Sequence, residues 1–452
     1  MIVFRRRLIY WLLKEYLKKW GRIFFLFLSV GVVVFFVLRL SFGFFAAKIP
    51  VGQKEAIGMV GSYTVDTLPA TILAQVSRGL TSLSEDGSVK PDLAKGWKIE
   101  NNGKTYVFTL RENIKFSDGS RLTSADINYN FSDVSVEKPN KQTVVFKLKD
   151  VYSPFLAAVS RPIFKKGFVG TGEYKAKDIR LNGNFVKSLT LASAKNPFKI
   201  KTYQFYPTFD ALATTYALGE ATKITGLSSP QFKNFVFSSF PNTKVEKTTN
   251  FEKLVTLFYN AQDKVLSDKK IRNSLTYAIP DNFSNGQRSH VPFMPRSWVN
   301  QLGMFDSRQD FAHARILMSA SETATSTATL SVELKTLPKY QKTAEEIAKA
   351  WKEIGVETKI TTVNSLPTIF QVFLGDFRVS KDPDQYTLWH SRAASNISNL
   401  NNMRIDKLLE DGRKTTDANT RRKIYADFQK YLLDEAPASF LYFPYEYEIS
   451  RK

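Results

Sequence analysis

The period of the hydrophobic positions changes repeatedly along the chain, and these changes predict a mixture of helices and strands. Residues 105–111 and 142–149 alternate apolar and polar side chains, which is the pattern of half-buried strands. Apolar positions three and four residues apart predict helices in later segments. These segments are 208–221, 268–279, 340–354, 404–416 and 417–437. Gly219 and Gly355 are expected to end two of these helices, with a strand after Gly355. We therefore expect an α/β or α+β fold.

Two further segments predict a helix start and a loop. Thr123 is followed three residues later by Asp126, in the arrangement of a capping box, and this predicts a helix that begins at Thr123. Residues 319–331 are small and polar, which predicts a loop that leads into a strand. We interpret the turn and cap residues around Thr123 as scaffold rather than as a binding site.

A long apolar run near the N-terminus predicts a membrane anchor. Residues 23–38 are all apolar or small, Arg39 interrupts the run, and apolar residues resume after it. Since about 20 apolar residues span a bilayer, we expect a transmembrane helix at 23–47. The basic segment 1–22 favours a cytoplasmic, interfacial N-terminus, with the chain from residue 48 onward outside the cell membrane. The alternative is a cleaved signal peptide, although the run is long for one and lacks a clear small-residue cleavage site.

The composition excludes several classes of chemistry. The 452 residues include no Cys, which excludes disulfides, thiol catalysis, Cys-ligated metal sites and a lipid-modified N-terminal Cys. The formal net charge is +22, and a basic chain can have nucleic acids, anionic lipids or cell-wall polyanions as neighbours, or simply a solvated basic surface. No dense basic run with interleaved aromatic residues follows the N-terminal segment, so we expect no nucleic-acid partner.

The sequence contains no recognisable catalytic or metal-binding constellation. Its three His residues are far apart, and the spacings of a metal-binding helix, a nucleophile elbow and a phosphate loop are missing. Asp382 and Asp384 could form a carboxylate pair, but Pro383 separates them and no nucleophilic or basic motif accompanies them. We therefore expect a binding protein rather than an enzyme, with no cofactor and no bound metal.

The order of several segments resembles one family of binding proteins. Residues 75–131 contain "QVSRGLTSLSEDG", "KPDLAKGW" and "FSDGSRLTSAD", and the segments 143–156, 169–175 and 257–279 follow in the family's order. The segment 405–444 resembles the family's closing helices and strand. Together these segments resemble the family 5 extracytoplasmic solute-binding proteins, the dipeptide- and oligopeptide-binding subunits of ABC importers.

This resemblance implies an α/β fold of the type II periplasmic-binding-protein class, with two lobes, a hinge and a ligand in the cleft. Lobe 1 would comprise residues 48–250 and be completed by 434–452, and lobe 2 would comprise 251–433. The chain would cross between the lobes near 244–251 and return near 433–437.

The resemblance also implies a function. The protein would capture peptides or similar small solutes in the cleft and deliver them to an ABC permease and its ATPase. The alternative is a degenerate relative that acts as an interaction or sensor module without a transport role.

The resemblance places ligand contacts at the cleft. In several family members, an aspartate in the segment that resembles 375–391 pairs with the α-ammonium group of the peptide, and this position is Val379 here. Asp382 or Asp384 would then have to supply the missing negative charge. The expected ligand contacts are Tyr63, Asp66, Asn260, Asp382, Asp384 and Trp389. For Trp389, packing in the core is the alternative.

Overall fold

The computed structural model describes residues 2–46, 54–300, 308–321 and 330–452. The chain divides into two compact units, Met1–Lys54 with Phe198–Ile200, and Glu55–Pro197 with Lys201–Lys452. The second unit, called the body below, contains the elements that position the candidate site. Residues 47–53, which include the end of the predicted anchor, and most of the predicted loop at 319–331 lie outside the described residues.

The first unit contains helix α1 (Ile2–Ala46). This helix bends by 58° between Leu8–Ile23 and Phe25–Val37. The two stretches together have the length and apolar composition of a membrane span, whereas no single helix in the described residues has both. The anchor at 23–47 and the interfacial segment 1–22 therefore stay predictions.

Five described helices of the body occur where the apolar periodicity predicts them, and four others were not predicted. After α1, the described helices are α2 (Ala70–Val76), α3 (Phe155–Ala158), α4 (Phe209–Leu218), α5 (Lys269–Tyr277), α6 (Phe311–Ser319), α7 (Gln341–Lys352), α8 (Tyr386–Trp389), α9 (Met403–Lys414) and α10 (Ala418–Glu435). The five predicted helices correspond to α4, α5, α7, α9 and α10. Helix α4 ends at Gly219 with φ of 83°, and Gly355 after α7 has φ of 80°, so both predicted stops adopt the left-handed conformation that glycine permits.

The helix predicted to begin at Thr123 does not form. The predicted capping box is present, because the Asp126 carboxylate accepts hydrogen bonds from the backbone N (2.8 Å) and the hydroxyl (2.9 Å) of Thr123. Only a 3₁₀ turn follows, however, and the chain is extended at Ile127. Ile127 is buried, and the Tyr129 hydroxyl donates to a backbone carbonyl at 2.6 Å. Tertiary contacts therefore override the local preference for a helix.

The strands form one large sheet and several small ones. The described strands are β1 (Lys54–Val60), β2 (Thr81–Leu83), β3 (Val89–Pro91), β4 (Ala94–Glu100), β5 (Thr105–Leu110), β6 (Val134–Asn140), β7 (Thr143–Leu148), β8 (Tyr174–Asn182), β9 (Phe185–Ser193), β10 (Ile200–Tyr206), β11 (Lys223–Leu227), β12 (Gln231–Phe232), β13 (Phe235–Val236), β14 (Thr243–Thr249), β15 (Lys253–Tyr259), β16 (Gly286–Arg288), β17 (Leu330–Thr336), β18 (Val356–Thr362), β19 (Val372–Arg378) and β20 (Ala438–Arg451). The large sheet has the order β18-β17-β19-β15-β20-β11-β1-β10-β9-β8, with β14 and β16 also paired to β20. A four-stranded antiparallel sheet has the order β4-β5-β7-β6, and two hairpins, β2-β3 and β12-β13, stand apart. The alternating segments at 105–111 and 142–149 correspond to β5 and β7, so both predicted strands are confirmed.

Strand β20 joins the strands assigned to the two predicted lobes. Residues 438–442 pair with β15, and residues 445–451 pair with β14. A return of the chain near residue 443 fits this pairing better than a return at 433–437. The lobe boundaries at 250 and 434 stay predictions, and we keep "lobe 1" and "lobe 2" as labels for the predicted lobes.

Separate hydrophobic cores support the parts of the body. One core lies between β15, β17 and β19 and the helices α5 and α7. Its largest side chain, Trp351, is fully buried and donates its indole N–H to the carbonyl of Leu275 at 3.0 Å. A second core lies between the other face of β15 and β19 and the helices α9 and α10, and a third covers the four-stranded sheet. The loops at the ends of β15 and β19 are therefore attached to strands that are packed on both faces.

Candidate functional site

A cavity of about 690 Å³ lies between lobe 1 and lobe 2. One wall is formed by residues within 70–83, by Asp92 and by residues 160–162. The other wall is formed by Glu252 and residues 378–381. The second wall is the end of β19 together with the residue before β15. A cavity of this size is in the range that holds small ligands.

A close approach of two backbone segments shapes the lobe 1 wall. The backbone N of Ile163 donates to the carbonyl of Arg78 at 3.0 Å. A Cβ atom on Gly79 would overlap the carbonyl oxygen of Ser160, so this approach requires glycine. As a result, Arg78 and Arg161 both line the cavity.

The carboxylate in the lobe 1 wall already has a cationic partner. Arg78 Nη1 donates to Asp92 Oδ1 at 3.0 Å, and Arg111 Nε donates to the backbone carbonyl of Asp92 at 2.7 Å. Burial raises the pKa of Asp92 above its usual value, and the charges of Arg78 and Arg111 oppose that rise. Asp92 therefore neutralises Arg78 before any ligand enters.

The lobe 2 wall combines an exposed ion pair with an apolar residue. Arg378 Nη2 lies 3.3 Å from Glu252 Oε2, and the two side chains are 74% and 50% exposed. Such an exposed pair contributes about 0–1 kcal/mol. The next residue, Val379, is 3% exposed, packs in the second core, and donates its backbone N to the carbonyl of Glu252 at 2.8 Å. The position that aligns with the family's ammonium-binding aspartate is thus apolar and part of the core.

Asp382 is held by an arginine of helix α10. Asp382 is 9% exposed, and its carboxylate accepts two hydrogen bonds from Arg421, at 2.7 and 2.9 Å. It also accepts the backbone N–H of Asp384 at 3.0 Å. Burial alone would lower the pKa of Arg421. The hydrogen bond and the charge of Asp382 outweigh burial and raise this pKa. This bidentate pair fixes the loop after Lys381.

Asp384 is held in the same way by helix α9. Arg413 Nε lies 2.9 and 3.0 Å from the two carboxylate oxygens of Asp384, and Arg413 Nη2 lies 2.8 Å from Oδ2. The guanidinium of Arg413 also stacks over the ring of Tyr386, 4.0 Å from its centroid. Arginines therefore engage both carboxylates. The geometry does not support the prediction that Asp382 or Asp384 offers a free negative charge to a ligand ammonium.

Trp389 has the environment of a core residue. It is 1% exposed, and its indole N–H donates to Gln385 Oε1 at 2.8 Å. Its ring lies 6.1 Å from the ring of Phe258 and 6.0 Å from that of Phe440. The geometry therefore supports the core-packing alternative for Trp389.

The other three predicted contacts do not line the cavity. Asn260 donates to the carbonyl of Phe370 at 3.0 Å, Tyr63 packs edge-on against Phe205 at 5.1 Å, and Asp66 is exposed. Within the described residues, none of the six predicted contacts is among those that line the 690 Å³ cavity. Their assignment as ligand contacts stays a prediction that this geometry does not support.

The charged residues that do line the cavity were not predicted from the sequence. Arg78 and Asp92 lie inside the segment 75–131, where their neighbours are turn and core residues. Gly79 was the available signal in the sequence. A glycine can permit close contact between backbone segments, and such a contact would hold the neighbouring Arg78 in position. Lys381 stands beside the predicted aspartates, but a lone lysine in a loop carries no signal in a single sequence.

Two sets of backbone contacts join the lobes. The backbone N of Trp298 donates to the carbonyl of Asp86 at 2.9 Å. Gly87, beside Asp86, approaches so closely that a Cβ there would overlap the carbonyl oxygen of Lys381. On another side, the backbone N and the hydroxyl of Ser153 donate to carbonyls in the last turn of α9, at 2.7 and 3.0 Å. The β2-β3 turn therefore rests on the loop that carries Lys381.

A larger cavity, of about 940 Å³, lies elsewhere, between α5, the end of α10 and the start of β20. None of the described residues before 250 lines it. We place the candidate site at the 690 Å³ cavity because both lobes line it, so that a ligand there would contact the two at once. Among the described residues, no group of three or more His, Asp or Glu side chains is arranged to hold a metal ion.

Comparison with known proteins identifies the family. The family described as bacterial extracellular solute-binding proteins, family 5, matches residues 88–399, which is more than half of the chain. The chain belongs to this family. It is 23% identical to the oligopeptide-binding protein AppA of Bacillus subtilis over 88% of each chain.

Solved structures show the same fold. The substrate-binding protein CtaP of Listeria monocytogenes is 22% identical, with a TM-score of 0.74 over 88% of this chain and 94% of that one. NikZ of Campylobacter jejuni, solved in complex with Ni(L-His), is 21% identical, with a TM-score of 0.69 over 89% and 95%. The α/β periplasmic-binding-protein-like fold is therefore confirmed for this family 5 solute-binding protein, and its relatives are binding proteins rather than enzymes.

Proposed function

We propose that this protein is a membrane-anchored extracytoplasmic receptor that captures a peptide or similar small solute and delivers it to an ABC permease with its ATPase. The observation that carries this proposal is the 690 Å³ cavity lined from both lobes of a family 5 chain. A solute in that cavity would contact both walls at once, so that its binding would favour the closed arrangement of the lobes.

The proposed location rests on the N-terminal sequence. The basic segment 1–22 and the apolar segment 23–47 favour a cytoplasmic N-terminus and a body outside the membrane. Protease treatment of intact cells tests this proposal. We expect loss of the body and retention of a short membrane-bound fragment, and a mature protein that starts near Lys48 in the medium would contradict it.

Capture and delivery are tested by two measurements on the full-length chain. Native mass spectrometry of the purified protein should detect a bound small solute. Cross-linking in native membranes should join the body to a permease. A chain that carries no solute, and to which no component of a small-molecule extract of the same cells binds, would contradict capture.

One observation favours the alternative of a degenerate interaction module. Four carboxylates at or beside the cavity, Asp92, Glu252, Asp382 and Asp384, all have arginine partners, so among the described residues none of these four is unpaired for a free peptide N-terminus. A module without a transport role would show neither a bound solute nor a permease cross-link.

A further inference from the structure

The charged side chains that line the 690 Å³ cavity are predominantly basic. The cations are Arg78, Arg161, Arg378 and Lys381, and the anions are Asp92 and Glu252. Each anion lies beside an arginine of its own wall: Asp92 beside Arg78 at 3.0 Å, and Glu252 beside Arg378 at 3.3 Å. The lining therefore carries an excess of two positive charges, which belong to the two cations outside these pairs.

These two cations stand on opposite walls. Arg161 belongs to lobe 1 and Lys381 to lobe 2, and neither has an ion-pair partner in the described part of the chain. The guanidinium of Arg161 lies over the ring of Phe131, 5.4 Å from its centroid. The backbone at Arg161 is fixed, since the Tyr129 hydroxyl donates to its carbonyl at 2.6 Å. The backbone at Lys381 is fixed by the buried pair of Asp382 with Arg421. Both cations are thus held at the cavity by their backbones.

A peptide ammonium would meet the opposite environment. Val379 offers no charge, and Asp382 and Asp384 already accept hydrogen bonds from Arg421 and Arg413. An ammonium that enters a cavity with excess positive charge is repelled, and it would have to displace an arginine to find a carboxylate.

We propose that the solute of this cavity is an anion, with a carboxylate held between Arg161 of lobe 1 and Lys381 of lobe 2. If the solute is a peptide, its N-terminus is blocked or its charge is outweighed by acidic groups. This inference rests on the proposed function and names the charge class of the solute for the same site. A carboxylate that bonds to both cations bridges the two walls, because each bond is charge-assisted and the two donors belong to different lobes.

Four trialanine peptides that differ only at their ends test the charge preference in calorimetry with the full-length protein. They are free trialanine, N-acetyl-trialanine, trialanine amide and N-acetyl-trialanine amide. The N-acetylated acid carries one negative charge and should bind tightest, about tenfold tighter than the doubly blocked form. Trialanine amide, which carries only a positive charge, should bind weakest. Tighter binding of trialanine amide than of N-acetyl-trialanine would overturn the proposal.

Variants assign the preference to the two cations. Arg161→Gln and Lys381→Gln should each weaken N-acetyl-trialanine about tenfold and leave the doubly blocked peptide nearly unchanged. Lys342→Gln, an exposed change on α7, is the matched control and should have no effect. Glu252→Gln should not weaken free trialanine, whereas a loss there would make Glu252 an ammonium site and overturn the proposal. Thermal unfolding of each variant shows whether the fold is retained.

If none of the four peptides binds, the solute that co-purifies with the protein decides the matter. An anionic solute identified by mass spectrometry, whose affinity falls in Lys381→Gln, supports the inference. A neutral or cationic solute overturns the inference but leaves the proposed function standing. If the purified chain has no solute and takes none from a cell extract, the proposed function fails, and this inference fails with it.

Discussion

At the scale of single residues, Asp382 and Asp384 illustrate how a loop can suggest a binding site while its charges serve the scaffold. In the sequence they stand free on either side of Pro383, with aromatic residues after them. In the structure each is engaged by an arginine that lies 29 to 39 positions later in the chain. A single sequence does not show such distant partners, so the pairing could not be predicted from the loop itself.

The buried pair of Asp382 with Arg421 gives a stability prediction. The side chains are 12% and 7% exposed, so Asp382→Asn leaves the Arg421 charge buried with a weaker partner. We expect a loss of about 3 kcal/mol in the free energy of unfolding of the body, measured by chemical denaturation. Asp411→Asn, which breaks the exposed pair with Lys407, is the control and should leave stability within the error of the measurement. Equal stability of the two variants would show that the Asp382 pair is not structural.

At the scale of elements, the turns that begin and end helices were predictable where their signals are local. Gly219 and Gly355 stop α4 and α7 because glycine adopts the left-handed conformation without a steric cost. Thr123 shows the limit of such signals. Its capping box forms as predicted, but burial of Ile127 draws the chain into an extended path after one turn. A local signal predicts the cap, whereas tertiary packing decides whether a helix follows.

Two Asp-Gly-Ser turns give a matched test of the contact between the lobes. In each turn the aspartate accepts from the backbone N of the serine two residues on, and Gly87 and Gly119 both have φ of 86°. A Cβ on Gly87 would overlap the carbonyl of Lys381, whereas a Cβ on Gly119 would have no atom within 4 Å. Alanine at either site carries the same backbone strain, about 1 kcal/mol, but only Gly87→Ala pushes the lobes apart.

The expected result is a difference in affinity without a difference in stability. Gly87→Ala should weaken binding of N-acetyl-trialanine, or of the co-purifying solute, about tenfold relative to Gly119→Ala in calorimetry. Both variants should unfold at similar temperatures. If the two variants bind alike, the β2-β3 turn does not contribute to closing the cavity.

At the scale of the whole molecule, the family and its fold could be predicted from the order of short segments, and the lining of the site could not. The segment 75–131 carried the resemblance because its turn and core residues keep a fixed spacing. The set of residues that line the cavity depends instead on which loops of lobe 1 contact the ends of β15 and β19. No local sequence pattern predicts that contact. Arg161 and Lys381 line one cavity only because of the fold, and the predicted contacts at Tyr63 and Asn260 do not line it.

The central claim, that a small solute occupies the cavity between the lobes, is tested most directly by filling that cavity. Ala74 on α2 lines the cavity and is exposed, so Ala74→Trp can fill the space without disturbing a core. Leu218→Trp on α4, at a position that is 71% exposed and away from the cavity, is the control. Native mass spectrometry of the full-length chain should detect bound solute in the unchanged protein and in Leu218→Trp, and none in Ala74→Trp. Retention of the solute by a folded Ala74→Trp protein would contradict the claim.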